Sequence, residues 1–493
     1  MTDLVPFVVA VPIFGSVLAF AAGIARPKTG WPVAAVASLA QVAVAGVLAA
    51  ATFGAGPARI AYVVGGFETP FGIELVVDGL SATVLVLVAV VSLGVLAYAR
   101  RAGPRSNAFY AIYMLLVAGL SGMTVTADLF NMYVFLEITG LTAYALVAAG
   151  EDSRSTVAAL KYLLVGTFGA SLFLLGIGYA YVGTGTLNMA DLAAKLADAD
   201  PVLAQAAFAL IVVGLFIKVA VFPLHTWQPD AYAGAPDTVS ALISALVSTV
   251  AAYALLRVVY TVFGAGFLDS TPVARAILIG GAVVSIVAGS LLAVSQSEIK
   301  RVLAYSSVSQ FGLILAAIAI GNDTALTGAA IHLVGHAVMK GGLFLTAGVV
   351  ATETGARTID EFDGLADRSP VAAGAFGVLA VSMVGVPPTV GFAGKWYIAI
   401  GAAEAGSWAL LAVIVASTLL TLAYFLRLVE RMFFRAPATV PADGRSDGAE
   451  TPASSSTGMY ATVVGATVCA VALGFGAFVY STQMQATLTQ LLS

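Results

Sequence analysis

The chain is expected to be an all-α polytopic membrane protein of about 14 transmembrane helices, with two inverted five-helix repeats that each contain a broken helix. Three observations predict this. Of the 493 residues, 60% are hydrophobic and only 10% are charged, and the mean hydropathy is +1.00, a composition that excludes an ordinary water-soluble core. Apolar runs of about 20 residues, long enough to cross a hydrocarbon layer at ~1.5 Å of helical rise per residue, recur from one end of the chain to the other. Two of those runs are interrupted by proline at corresponding places.

The N-terminus has neither a basic leader region nor a small-residue cleavage site, so the run at 3–24 is expected to be a retained first span. Runs at 31–54 and 76–99 complete an N-terminal unit of three helices, 1–107. A first repeat, 108–263, holds runs at 108–126, 128–149, 157–182, 203–222 (continuing in broken form to about 232) and 237–263. The second repeat, 264–434, holds 274–295, 301–320, 325–350, 371–401 and 406–430. Pro223 interrupts the seventh run and Pro387–Pro388 the twelfth; a proline donates no helical hydrogen bond and frees a carbonyl one turn earlier. Each break falls in the fourth helix of its five, and five being odd, the second copy must be inverted relative to the first. Matched interruptions of this kind point to a transport site between the copies, against the alternative of coincident proline placement. The stretch 435–458, rich in Pro, Ser, Gly and Asp, is expected to be a flexible linker to a last unit, 459–493, with a span at 459–481.

Orientation follows from Lys and Arg, which collect in cytoplasmic connections. Odd-numbered loops carry 14 of the 22 basic residues and even-numbered loops four, Arg59, Lys195, Arg257 and Arg275, which places both termini on the outer side. A single cysteine, Cys469 in the last run, excludes a disulfide framework and a thiolate cluster. No connection is long enough for a soluble domain, so no nucleotide, flavin, iron–sulfur cluster or other cofactor is expected. Nothing in the charge balance points to nucleic acid.

The remaining four basic residues, Lys161, Lys218, Lys340 and Lys395, fall inside apolar runs. At about 2.5–3.5 kcal/mol for each ionised group near the bilayer centre, Glu137, Lys218, Lys340 and Lys395 together cost on the order of 10–14 kcal/mol, as much as the whole stability of a typical domain. Such groups must be paired, hydrated or neutralised, and an interior polar pathway provides all three. Glu137 lies mid-run, nine residues after Asp128, and Lys218 lies five residues before Pro223. We expect these two to pair, either as parts of a proton path or as a structural ion pair. His332, His336 and Lys340 are spaced i, i+4, i+8 and so share one helix face. A row of imidazoles suits a proton relay. The same row fits helix-to-helix hydrogen bonding; zinc ligation would need a third ligand and a general base that the segment "IHLVGHAVMKGG" lacks, and no metal is expected. Lys395 follows the second proline break. Asp78, near the start of the third run, fits a further residue of the path or equally a helix N-terminal acid.

"FIKVAVFPLHTWQPDAYAGAP" (216–236), "SEIKRVLAYSSVSQFG" (297–312), "HAVMKGGLFLTAG" (336–348) and the central Glu137 resemble the antiporter-like subunits shared by multisubunit Mrp Na+/H+ antiporters and respiratory complex I. The resemblance covers nearly the whole chain, and Lys395 resembles the D-type Mrp subunits, where the compared complex I subunit carries glutamate. It implies partner subunits, a prokaryotic plasma membrane, protons with Na+ or another monovalent cation as cargo, and no catalysis by this chain unless as the pump module of an oxidoreductase. It also implies a midplane axis from Glu137 and Lys218, through a bridge in the eighth span, to His332, His336, Lys340 and Lys395. Asp128, Lys161, His225 and Ser248 are possible accessories. One departure stands out: the family usually has lysine in the eighth span, and "LVSTVAAYAL" (246–255) has Thr249 there. Either water around Ser248 and Thr249 bridges the halves, or this copy serves assembly without conducting.

Overall fold

Among the described residues, thirteen helices are long and apolar enough to cross a membrane, and a fourteenth span is split into two shorter helices, Pro370–Val384 and Val390–Glu404. The computed structural model describes residues 1–54, 58–67, 69–150, 152–436 and 455–492; most of the expected linker, 437–454, lies outside them. In chain order the spans are Thr2–Ala25, Gly30–Phe53, Gly79–Ala102, Asn107–Val125, Leu129–Val147, Ser153–Thr184, Pro201–Val219, Asp237–Ser270, Pro272–Val294, Ile299–Ile320, Asp323–Thr354, the split twelfth, Trp408–Phe434 and Thr457–Leu492. We refer to them by ordinal.

The polar residues between the runs set where helices start. Ser106, Asp128, Asp152, Asp200 and Asn322 each accept a backbone N–H of the helix that follows, satisfying donors that have no helical partner. Several helices stop at glycine in the left-handed region, as at Gly185, Gly321 and Gly355, where a side chain would be strained.

The eighth span is wholly buried, and the tenth and eleventh nearly so, whereas the first, second and fourteenth present most of their surface outward. His332, His336 and Lys340 therefore sit on one of the innermost helices, while Glu137, Lys218 and Lys395 sit on the fifth, seventh and twelfth spans. The fourteenth runs for 36 residues, about 54 Å of helix against ~30 Å of hydrocarbon, and packs against the third, the eleventh and both halves of the twelfth.

One element is absent from the sequence expectation: an antiparallel hairpin of Arg59–Val63 and Glu74–Asp78, with Arg59 opposite Asp78. Val5 and Val8 pack with Ile60, Leu75 and Val77 of this hairpin, and Met484 and Thr487 lie against Gly79. Both ends of the chain thus share the hairpin face.

Both expected interruptions are present. The seventh span ends at Val219, Ala220 adopts φ +66°, and helix resumes only at Gln228–Gly234. The freed Ile217 carbonyl accepts from Trp227 Nε1 at 2.8 Å, and the Phe222 N–H donates to Ser285 Oγ at 2.9 Å. The twelfth span breaks at Gly385, φ +94°, and resumes at Val390.

Candidate functional site

Glu137, from the middle of the fifth span, and Lys218, in the last turn of the seventh, meet with Nζ and Oε1 3.5 Å apart. The lysine side chain is 7% exposed and the carboxylate 23%. Lys218 also donates to the Tyr144 hydroxyl at 3.2 Å. Two glycines make room for this cluster: a Cβ on Gly166 would lie 2.0 Å from the Tyr144 hydroxyl, and one on Gly140 3.2 Å from Lys218 Nζ. Tyr144 is held edge-on by Tyr162, which stacks on Trp227 with ring centres 3.9 Å apart. The aromatic stack therefore ties the Lys218 environment to the break, since Trp227 also caps Ile217.

The twelfth span carries the companion arrangement. Lys395, one turn into the second half-helix, donates to the Met383 and Val384 carbonyls at 2.9 and 3.0 Å. Those carbonyls end the first half-helix. Each break thus sets a lysine at a half-helix C-terminus, where unpaired carbonyls and the negative end of the helix dipole favour a cation.

Between the breaks, His332, His336 and Lys340 are fully buried on the eleventh span, one face and about 6 Å of rise between neighbours. His332 Nε2 is 2.9 Å from Gln310 Oε1, and its ring lies against Gly394, next to Lys395. His336 packs on Phe311 with ring centres 4.6 Å apart, and neither of its nitrogens has a hydrogen-bond partner. Lys340 donates to the Leu303 carbonyl at 2.7 Å and to the Ser306 hydroxyl.

Thr249 is buried in the eighth span just after a π-helical stretch, Ile243–Val247, a local widening of the helix common at functional positions. Its hydroxyl has no hydrogen-bond partner. Ser248, its neighbour, lies 3.2 Å from the Tyr232 hydroxyl and 3.4 Å from Gln228 Nε2. Tyr232 in turn packs edge-on against Phe344 of the eleventh span, and Ala245 lies against Gly341, beside Lys340.

Three accessory residues lie elsewhere. Asp128 caps the fifth span through the Asn131 N–H at 2.6 Å; nine residues of helix, about 13 Å of rise, separate it from Glu137. Burial raises its carboxyl above the usual range, against the backbone N–H groups of Asn131 and Phe130. Lys161 is 40% exposed and pairs with Asp230 at 2.6 Å, in a surface network where Arg301 also binds Asp230 and Arg154 binds Glu298. His225 sits in the seventh-span break, stacked on Phe222, with Nδ1 unpartnered.

Several basic residues expected in loops, Arg257 and Lys300 among them, lie within span helices. Arg257 lies inside the eighth span, and Lys300, 8% exposed, pairs with Asp237 at 2.5 Å. Tyr144, Gln228, Tyr232, Ser306 and Gln310 enter the site although nothing in the sequence singles them out. A polar side chain in an apolar run was the available signal, but such residues are common in membrane helices.

Some buried polar atoms without a hydrogen-bond partner lie among these residues, and others, such as Gln41 Oε1 and Asn188 Nδ2, lie away from them. Besides those named, Thr139 Oγ1, Gln228 Oε1, Gln310 Nε2, His332 Nδ1 and the Tyr424 hydroxyl have no hydrogen-bond partner among the described residues. Buried polar groups are nearly always satisfied by protein or water, and a row of such atoms among ionisable side chains fits a hydrated file.

Comparison with known proteins gives a consistent result. The family described as "NADH:quinone oxidoreductase/Mrp antiporter, TM" matches residues 126–421. The NADH-quinone oxidoreductase subunit N of Desulforudis audaxviator is 46% identical over 409 residues, 80% of this chain and 81% of that one. The D-type subunit of the Na(+)/H(+) antiporter of Bacillus subtilis is 31% identical over 402 residues, 81% of this chain and 80% of its own. Among solved structures, a chain of the Mrp complex from Dietzia sp. DQ12-45-1b superposes with a TM-score of 0.88 at 27% identity, covering 100% of both chains.

Proposed function

The chain belongs to the NADH:quinone oxidoreductase/Mrp antiporter transmembrane family, and from that premise we propose that it carries protons along a midplane axis as a membrane subunit of a multisubunit complex. The observation that carries this reading is the Glu137–Lys218 pair, 3.5 Å apart at a helix break. A carboxylate facing an ammonium in a low-dielectric site stabilises its charge, and separating them releases a proton from the lysine. Lys340 and Lys395, held by neutral acceptors, exchange protons with the imidazoles of His332 and His336 and with water. Thr249, Ser248, Gln228 and Tyr232 supply the bridge between the halves by hydrogen bonds, since none of them takes a full charge.

The axis runs through two inverted repeats, 108–263 and 264–434, packed against the N-terminal unit, 1–107, and the last helix; the basic-residue bias puts the hairpin face and both termini outside. The cargo of the whole complex is proton against Na+ or another monovalent cation, with the cation moving elsewhere in the assembly. A lysine at 395 favours this antiporter reading. The relative that is 46% identical is a subunit of an NADH-quinone oxidoreductase, and it supports a second reading, the membrane arm of a redox-driven proton pump. Purifying the complex separates the two, because a redox pump brings iron–sulfur partners and an antiporter brings none.

The axis itself is tested by Lys218→Ala in the assembled complex reconstituted into proteoliposomes. Proton transport is expected to fall to background with the subunits still co-purifying; a normal rate removes Lys218 from the path, and with it the axis.

A further inference from the structure

Thr249, Tyr253 and Arg257 follow one another at four-residue intervals along the eighth span and so stack on one helix face. The row starts at the bridge of the axis and ends in an ion pair. The Tyr253 hydroxyl accepts from Arg257 Nε at 2.9 Å and donates to the Thr124 carbonyl at 2.8 Å. The Arg257 guanidinium, 13% exposed, pairs with the Asp78 carboxylate. Asp78 also caps the third span by accepting the Ser81 N–H at 2.9 Å. Burial alone would raise its carboxyl, but the Arg257 charge, with hydrogen bonds from Arg257 and Ser81, holds it below the usual carboxylate range.

These groups open onto a cavity of about 440 Å³, lined by Asp78, Tyr253, Arg257 and Thr261 and, toward the hairpin, by Arg59. Arg59 is 48% exposed, so the cavity leads from buried Tyr253 to the surface. The Thr261 hydroxyl is buried without a partner, on a second π-helical stretch, Val258–Phe263, that follows Arg257 directly. A cavity lined by a guanidinium, a carboxylate, a phenol and a hydroxyl is wetted, and this volume holds on the order of ten waters at ~30 Å³ each.

We propose that this cavity is the mouth on the hairpin face through which protons pass between the surface and the axis at Thr249, with Tyr253 and the Arg257–Asp78 pair at its inner end. The proposal rests on the axis described above. Water in the cavity carries the proton by exchanging O–H bonds; the Tyr253 hydroxyl, its own hydrogen held by the Thr124 carbonyl, serves as an acceptor that anchors the last of this water, and from there the proton passes by water along the one helical turn to Thr249. Arginine stays charged in proteins. Here that charge is balanced by the Asp78 carboxylate, so the inner end of the mouth is close to neutral and does not by itself repel a proton carried along the water.

The test uses the complete complex with Cys469→Ser, so that an introduced cysteine is the chain's single thiol. Thr261→Cys and, as a marker of the hairpin face, Arg59→Cys are treated with a membrane-impermeant cationic methanethiosulfonate from either side. Both are expected to react from the same side, and modification at 261 is expected to lower proton transport at least fivefold relative to the same protein before treatment. Tyr253→Phe, which keeps the ring and removes the hydroxyl, is expected to slow transport severalfold. If Thr261→Cys stays unmodified where Arg59→Cys reacts, or its modification leaves transport unchanged, or Tyr253→Phe is as fast as the parent, the mouth lies elsewhere. Normal transport in Glu137→Gln would instead overturn the axis, whereas loss in that variant alone leaves the axis standing and this mouth refuted.

Discussion

Replacing Glu137 by glutamine keeps the shape of the side chain and removes its charge, which isolates the electrostatic part of the Lys218 pair. Two unit charges 3.5 Å apart attract by about 5 kcal/mol at an effective dielectric constant of ~20. The carboxylate side chain is 23% exposed, so solvent screening reduces this to roughly 2–3 kcal/mol. If a transfer step through the pair uses all of that attraction, its loss slows transport by roughly 30- to 150-fold, at 1.4 kcal/mol for each factor of ten. Glu137→Asp provides the graded case. Shortening the side chain by one methylene lengthens the separation to about 5 Å and keeps about two-thirds of the attraction, so a loss of a few-fold is expected. Proton uptake into proteoliposomes of the whole complex, followed with a pH-sensitive dye, measures both, and size-exclusion chromatography checks assembly. Wild-type uptake by an assembled Glu137→Gln complex would falsify the reasoning.

Other substitutions test the surroundings. Thr249→Lys is expected to be tolerated or to stimulate transport if the bridge is wet; complete loss, with a lower melting temperature, would mean that the site is packed dry and that overpacking has cost about 1–3 kcal/mol. Gly166→Ala puts a methyl 2.0 Å from the Tyr144 hydroxyl, so it should displace Tyr144 from Lys218 and lower thermal stability by about 1–3 kcal/mol; an unchanged melting temperature and rate would show that the tyrosine yields freely. His336→Phe retains a ring against Phe311 and removes both nitrogens. Transport should fall at least tenfold with the complex intact, whereas an unchanged rate would make His336 a packing residue.

What can be read from sequence is local. Lys218 and Lys395 stand out because each lies within several residues of a proline in an apolar run, and the His332 row because helical spacing puts it on one face. What escapes reading is pairing across the chain. Arg257 and Asp78 are separated by 179 positions, and the arginine passes for a loop residue because it lies near the end of its apolar run. Lys300 misleads for the same reason; its partner Asp237 begins a different helix. Asp128 and Glu137 share a run, and that closeness in sequence suggests an accessory role, but rise along a helix separates them. The hairpin strands are five residues each, too short to register against long apolar spans.

The two halves hold their lysines differently, and this bears on how charge moves between them. Lys218 faces a carboxylate, while Lys340 and Lys395 are held by carbonyls and a hydroxyl, with no ion pair among the described residues. An ion pair responds strongly to a small change in separation, because its attraction varies inversely with distance in a poorly screened site. Carbonyl acceptors also favour an ammonium, but a neutral amine can still donate to them, so they discriminate less between the two charge states. On the proposed axis, a displacement of Glu137 acts on Lys218 first and most strongly, and the change would reach Lys340 and Lys395 through the polar groups and water between. Thr249 sits at that junction. With lysine there, a third charge would repel both neighbours; with threonine, the halves communicate through oriented hydroxyls and water alone, which makes the hydration of the eighth span the step on which coupling between the halves depends.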